Sequence, residues 1–93
     1  MPQNNPFNVE VAENETIQRV NKTLSAIEKA ISVWDSSKEK PFSLKPRIEH
    51  LKRFHLELSK WERKMLLSIN KRENRSKRTA LLREFTEICH TYA

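Results

Sequence analysis

The chain has no glycine in 93 residues, where average usage would supply roughly six or seven. Glycine is the default residue for positive-φ turns, hairpins and bulges, so its absence argues against a sheet-rich fold. It also excludes every glycine-rich phosphate loop and dinucleotide fingerprint. Proline is confined to two places, Pro2/Pro6 and Pro41/Pro46. Because proline breaks helices and restricts the residue before it, two long stretches remain open to helix, Phe7 to Lys40 and Arg47 to Ala93. A single cysteine, Cys89, excludes an internal disulfide and any thiol-rich metal site. No apolar run approaches the ~20 residues needed to span a bilayer. No HExxH or nucleophile elbow is present, so the chain is not expected to be an enzyme.

What is there suits helix. Glu, Lys, Arg, Leu, Ile and Ser dominate, with 37% hydrophobic and 32% charged residues. That is enough apolar content for one small domain with a modest core, and a thin core favours self-association or a permanent partner. The net charge of +6 is unevenly spread: residues 1–35 carry three bases and five acids, while residues 60–93 carry nine bases and four acids. Such a balance is compatible with nucleic acid, anionic lipid or an acidic protein. The Met-Pro-Gln-Asn-Asn-Pro start has neither the basic residues nor the apolar run of a signal peptide. A soluble, cytoplasmic protein with Cys89 as a small buried hydrophobe is the expectation.

Residues 1–8 read as a loose polar arm, and residues 9–93 as one helical domain with helices over about 10–35, 45–70 and 76–92. Asn8 or Asn14 is the candidate cap of the first helix. That helix carries Ile17, Val20, Leu24, Ile27, Ile31 and Trp34 at alternating spacings of three and four, a heptad seam. Its acids, Glu10, Glu13 and Glu15, are read as lying outside the seam, near the positive helix start. A polar linker over 36–45 leads to Ser43 or Lys45 as the next cap, with Pro46 tolerated in a first turn. Leu51, Phe54, Leu58, Trp61 and Met65 then repeat the seam, flanked by Ile48, His55 and Ile69. Two matching seams joined by a short connection predict an antiparallel helical hairpin.

Leu56, Leu66 and Leu67 fall off that seam and define a second surface on helix 2, to be covered by helix 3 or by a partner. Helix 3 offers Leu81 or Leu82, Phe85, Ile88, Cys89 and Tyr92 as its stripe. Asn70 to Ser76 has no apolar residue, which places a break there. A continuous helix from Pro46 onward is the rival, since no glycine or proline enforces the break. The expected architecture is all-α, a hairpin plus a shorter C-terminal helix, either a three-helix bundle or a hairpin that dimerises.

The densest charge feature is Lys71-Arg72-Glu73-Asn74-Arg75-Ser76-Lys77-Arg78. If helix 3 starts near Ser76, its free N–H groups and these cations converge into an anion site. A solvated loop, or pairing with Glu10, Glu13 and Glu15 across the hairpin, accounts for the same cluster. The aromatic residues Trp34, Phe54, Trp61 and Phe85 lie on the seams and read as core, and the basic cluster contains none, which weakens a base-stacking role. Glu87 and His90 have the spacing of a helical metal motif, but without inward-facing acids on other helices no metal is expected. His55 reads as a partly buried packing residue and His50 as a surface one. Asn5-Pro6-Phe7 and the sequons at Asn14, Asn21 and Asn74 read as chance matches.

These readings lead to a non-enzymatic helical interaction module: an adaptor, chaperone-like cofactor or regulatory subunit that binds another protein or a second copy through Leu56, Leu66 and Leu67. A homo-oligomer is expected, and no cofactor, membrane or small-molecule substrate. The alternative is a small basic protein that contacts nucleic-acid phosphates through Lys64, Lys71, Arg72, Arg75, Lys77 and Arg78.

Overall fold

The computed structural model describes residues 9–69, 71 and 74–92. The chain is all-α: α1 spans Val9–Ser36, α2 Lys45–Ile69 and α3 Arg75–Tyr92. The expected arm over residues 1–8 lies outside the described residues. Because α1 already begins at Val9, Asn14 sits inside the helix and is not its cap. Between α1 and α2 the chain turns without glycine. Ser37 N–H donates to the Trp34 carbonyl at 3.1 Å, the Ser37 hydroxyl to the Glu39 carbonyl at 2.6 Å, and Lys40 Nζ to the Asp35 carbonyl at 3.4 Å. A 3-10 turn over Phe42–Leu44 then leads directly into α2. Pro46 occupies the second position of α2, where its missing N–H leaves no helical bond unmade.

The helices run up, down and up, in a molecule 58 Å long and 22 Å across. Helix α2 is the central element and packs along both α1 and α3, while α1 and α3 touch only briefly. The core confirms the heptad reading: Val20, Leu24 and Ile27 of α1, Phe54, Leu58, Trp61 and Met65 of α2, and Leu81 and Ile88 of α3 are buried together. Trp61 is fully buried; its indole N–H donates to the Leu81 carbonyl and its ring tilts against Phe85, centroids 5.2 Å apart. The continuous-helix rival is excluded, because α2 ends at Ile69 and α3 folds back alongside it.

Helix α3 is the shortest, 18 residues against 25 in α2, or about 10 Å less at 1.5 Å per residue. It ends where Tyr92 stacks on Phe54 and tilts against His50, whose ring N–H donates to the Tyr92 carbonyl. Beyond that level, among the described residues, only the α1–α2 hairpin continues. Trp34, on the seam of α1, is therefore only half-buried. Replacing Leu58 or Leu81 by Ala should lower the unfolding free energy by about 2–5 kcal/mol, measured by urea titration. A Leu81 variant as stable as the parent would show that α3 does not belong to the core.

Candidate functional site

Each of the three apolar seams continues one step further into a polar residue. Glu13 lies four residues before Ile17, Ser68 three after Met65, and Arg78 three before Leu81. The up-down-up arrangement brings these three positions to the same end of the bundle. Arg78 Nε donates to Glu13 Oε1 at 2.6 Å, with side chains only 13% and 6% exposed. The same guanidinium donates through an Nη to the carbonyls of Ser68 at 3.3 Å and Lys71 at 3.2 Å. Ser68 turns its hydroxyl onto the Met65 carbonyl at 2.8 Å. Glu13 thus corrects the reading that every acid of α1 lies off its seam: it occupies the next seam position. The heptad count, carried one step past its last apolar residue, is the signal that finds it.

This layer closes α2 without glycine. A helix commonly ends on a left-handed residue that satisfies its last carbonyls, yet no described residue has positive φ. Here Lys71 N–H donates to the Ser68 carbonyl at 3.2 Å, Asn74 N–H donates to the Lys71 carbonyl at 3.1 Å, and Arg78 adds a second donor to both acceptors. Of the intramolecular pairings that the cation cluster suggests, the one between Arg78, in the first turn of α3, and Glu13 is formed.

The remaining members of the basic set are dispersed. Lys71, Arg75 and Lys77 are exposed around the corner, and Lys64 pairs with Glu84 at 3.4 Å across the α2–α3 groove. Arg72 lies outside the described residues. Helix α3 does not cover Leu56, Leu66 and Leu67, which are 52%, 47% and 63% exposed. The physical reason is that α1 and α3 share one broad face of α2, the face of Phe54, Leu58, Trp61, Met65 and Ser68. On the opposite side Leu56, Lys60, Arg63 and Leu67, at spacings of four, three and four, form a line, with Arg53 and Lys64 beside it and Leu66 to one flank. Arg53 and Arg63 make no ion pair among the described residues, and Lys60 meets only Glu57 at 3.8 Å. Sequence reasoning singled out the leucines but not the cations between them, although the same spacing connects both.

Elsewhere the chemistry is modest. Among the described residues no three His, Cys, Asp or Glu side chains converge as a metal site would require, and Glu87 and His90 are both exposed. His55, half-buried, bonds Glu28 Oε1 at 3.1 Å. Burial pushes the Cys89 thiol above its ordinary range, and the nearby Arg19 charge pulls it partly back. No described helix is long and apolar enough to cross a membrane. No protein-family model matches the chain, and no curated protein or solved structure matches it.

Glu13→Ala should destabilise by about 3 kcal/mol, since it leaves the Arg78 charge buried without its partner. Replacing both residues by Leu should recover only part of that loss, because the Ser68 and Lys71 carbonyls then lose their second donor and keep only the Lys71 and Asn74 N–H groups. Urea titration of both variants checks this; full recovery would remove Arg78 from the closure of α2. Cys89 should react with iodoacetamide at pH 8 more slowly than glutathione does, because the raised pKa leaves less thiolate.

Proposed function

We propose that the protein is a non-enzymatic helical interaction module, an adaptor or regulatory subunit that engages another protein along the outer face of α2. The observation that carries this reading is the line Leu56, Lys60, Arg63 and Leu67, with Leu66 beside it. It is an exposed leucine stripe on the one helix whose other side is already fully used. Leu56 and Leu67 are apolar anchors at i and i+11 of one helix line, with Lys60 and Arg63 at i+4 and i+7, and a fourth helix laid along it would complete a bundle. Cations rather than acids lie between the leucines. An acidic amphipathic helix therefore fits better than a second copy, which would set like charges against each other. The homo-oligomer expected from the thin core is disfavoured on this face for that reason. The free thiol of Cys89 suits a reducing compartment such as the cytoplasm.

The nucleic-acid reading is the weaker one. Its cluster loses Arg78 to Glu13, which leaves Lys64, Lys71, Arg75 and Lys77 as the exposed phosphate contacts among the described residues. The test is isothermal titration with two probes. One is a designed amphipathic helix carrying leucines at the same spacing with glutamates between them, and the other is a 20-base-pair DNA duplex. The helix should bind, and Leu56→Ala with Leu67→Ala should weaken it by about tenfold or more while leaving the melting temperature unchanged. Submicromolar duplex binding at about 150 mM salt, lost in a Lys71, Arg75 and Lys77 triple Gln variant, would replace this reading with the nucleic-acid one.

A further inference from the structure

At the end of the hairpin that α3 does not reach, the linker and the start of α2 enclose a recess of about 290 Å³. Its apolar lining is Trp34, Phe42 and Ile48, and its rim is Lys40, Lys45 and Lys52 with Glu49 the one acid. Phe42 is 84% exposed, a large aromatic held in water by a 3-10 turn. Lys45 and Lys52 make no ion pair among the described residues, and Lys40 reaches only the Asp35 carbonyl. We propose that this recess binds an acidic protein segment that inserts one aromatic or leucine side chain against Trp34 and Phe42, with flanking carboxylates on Lys40, Lys45 and Lys52.

The occupant follows from size, charge and spacing. The volume lies at the lower edge of ligand pockets, room for one large side chain rather than an extended ligand. Three cations against one acid select a negative partner. Lys45 and Lys52 are seven residues apart on α2, about 10 Å along the helix, too far to be met by a single carboxylate. A segment with acids on both sides of its anchor reaches both. Exposed aromatics in a recess ringed by charge are also where binding energy concentrates in protein interfaces. This site lies on the opposite end of α2 from Leu67 and is independent of the outer-face reading.

The two tryptophans make the test local. Trp34 lines the recess, whereas Trp61 is fully buried and its N–H is bonded to the Leu81 carbonyl, so its indole signal is an internal reference. The probe is a blocked peptide with a central phenylalanine flanked on each side by aspartates, followed by the two indole N–H resonances. The Trp34 signal should shift saturably while that of Trp61 stays in place. Phe42→Ala and Lys52→Glu, both at exposed positions, should each weaken binding about fivefold or more, and the Leu56→Ala, Leu67→Ala variant should bind as the parent does. The proposal is overturned if neither indole moves or both move together. It is equally overturned if a lysine-flanked peptide acts as well, or if decanoate shifts Trp34 where the acidic peptide does not.

Discussion

The Arg78 guanidinium is the constraint on which the bundle depends. It sits on α3, pairs with Glu13 of α1 and donates to the carbonyls at the end of α2, so one side chain touches all three helices. The chain has no glycine, and none of the described residues at the α2–α3 corner supplies a left-handed cap. The Lys71 and Asn74 N–H groups and the largely buried Arg78 cation share the closure of α2. The cation's cost is desolvation, which is tolerable only because the carboxylate and two carbonyls take up its donors. Slipping any helix by one heptad step would leave Glu13 or Arg78 against an apolar layer, with an unpaired charge in the core. The polar layer therefore fixes register where the leucine and isoleucine layers alone would accept several alignments.

That closure has consequences for what remains open. Since α1 and α3 both lie against one side of α2, the opposite side of α2 carries leucines and cations into solvent. Since α3 stops at Tyr92, the hairpin end keeps a half-buried Trp34 above an exposed Phe42. Both surfaces combine apolar anchors with basic rims. Among the described residues four acids are paired, Glu13 inward with Arg78, and Glu28, Glu57 and Glu84 at the surface with His55, Lys60 and Lys64. Around the Leu56–Leu67 line and around the recess, bases outnumber acids.

Much of the fold was legible in spacing alone. The alternating three-and-four pattern of Ile17 to Ile31 and of Leu51 to Met65 marks residues that are buried together or packed on the core, whereas Trp34, the last seam residue of α1, is only half-buried; the apolar gap over Asn70 to Ser76 marks the break. The patterns say that a face is apolar without saying which face it meets. Leu56, Leu66 and Leu67 were open to helix 3 or to a partner on sequence grounds. Only the packing of α3 beside α1 leaves them uncovered, because Phe54, Trp61 and Ser68 widen the α2 seam enough for two neighbours. Arg78 reads as surface in a run of cations. Pairing of that cluster with Glu10, Glu13 and Glu15 is one of its sequence readings, but which cation meets which acid is set only by the packing, which joins Arg78 to Glu13, 65 residues away.

The central claim is that the outer face of α2 is open while its inner face is closed by two helices. The most direct measurement is the relaxation of leucine methyl groups by a soluble gadolinium chelate. The account requires strong relaxation at Leu56, Leu66 and Leu67 and protection at Leu24, Leu58 and Leu81. Leu56 and Leu67 methyls as protected as that of Leu58 would contradict it, because some part of the chain, or another copy, would then already occupy that face.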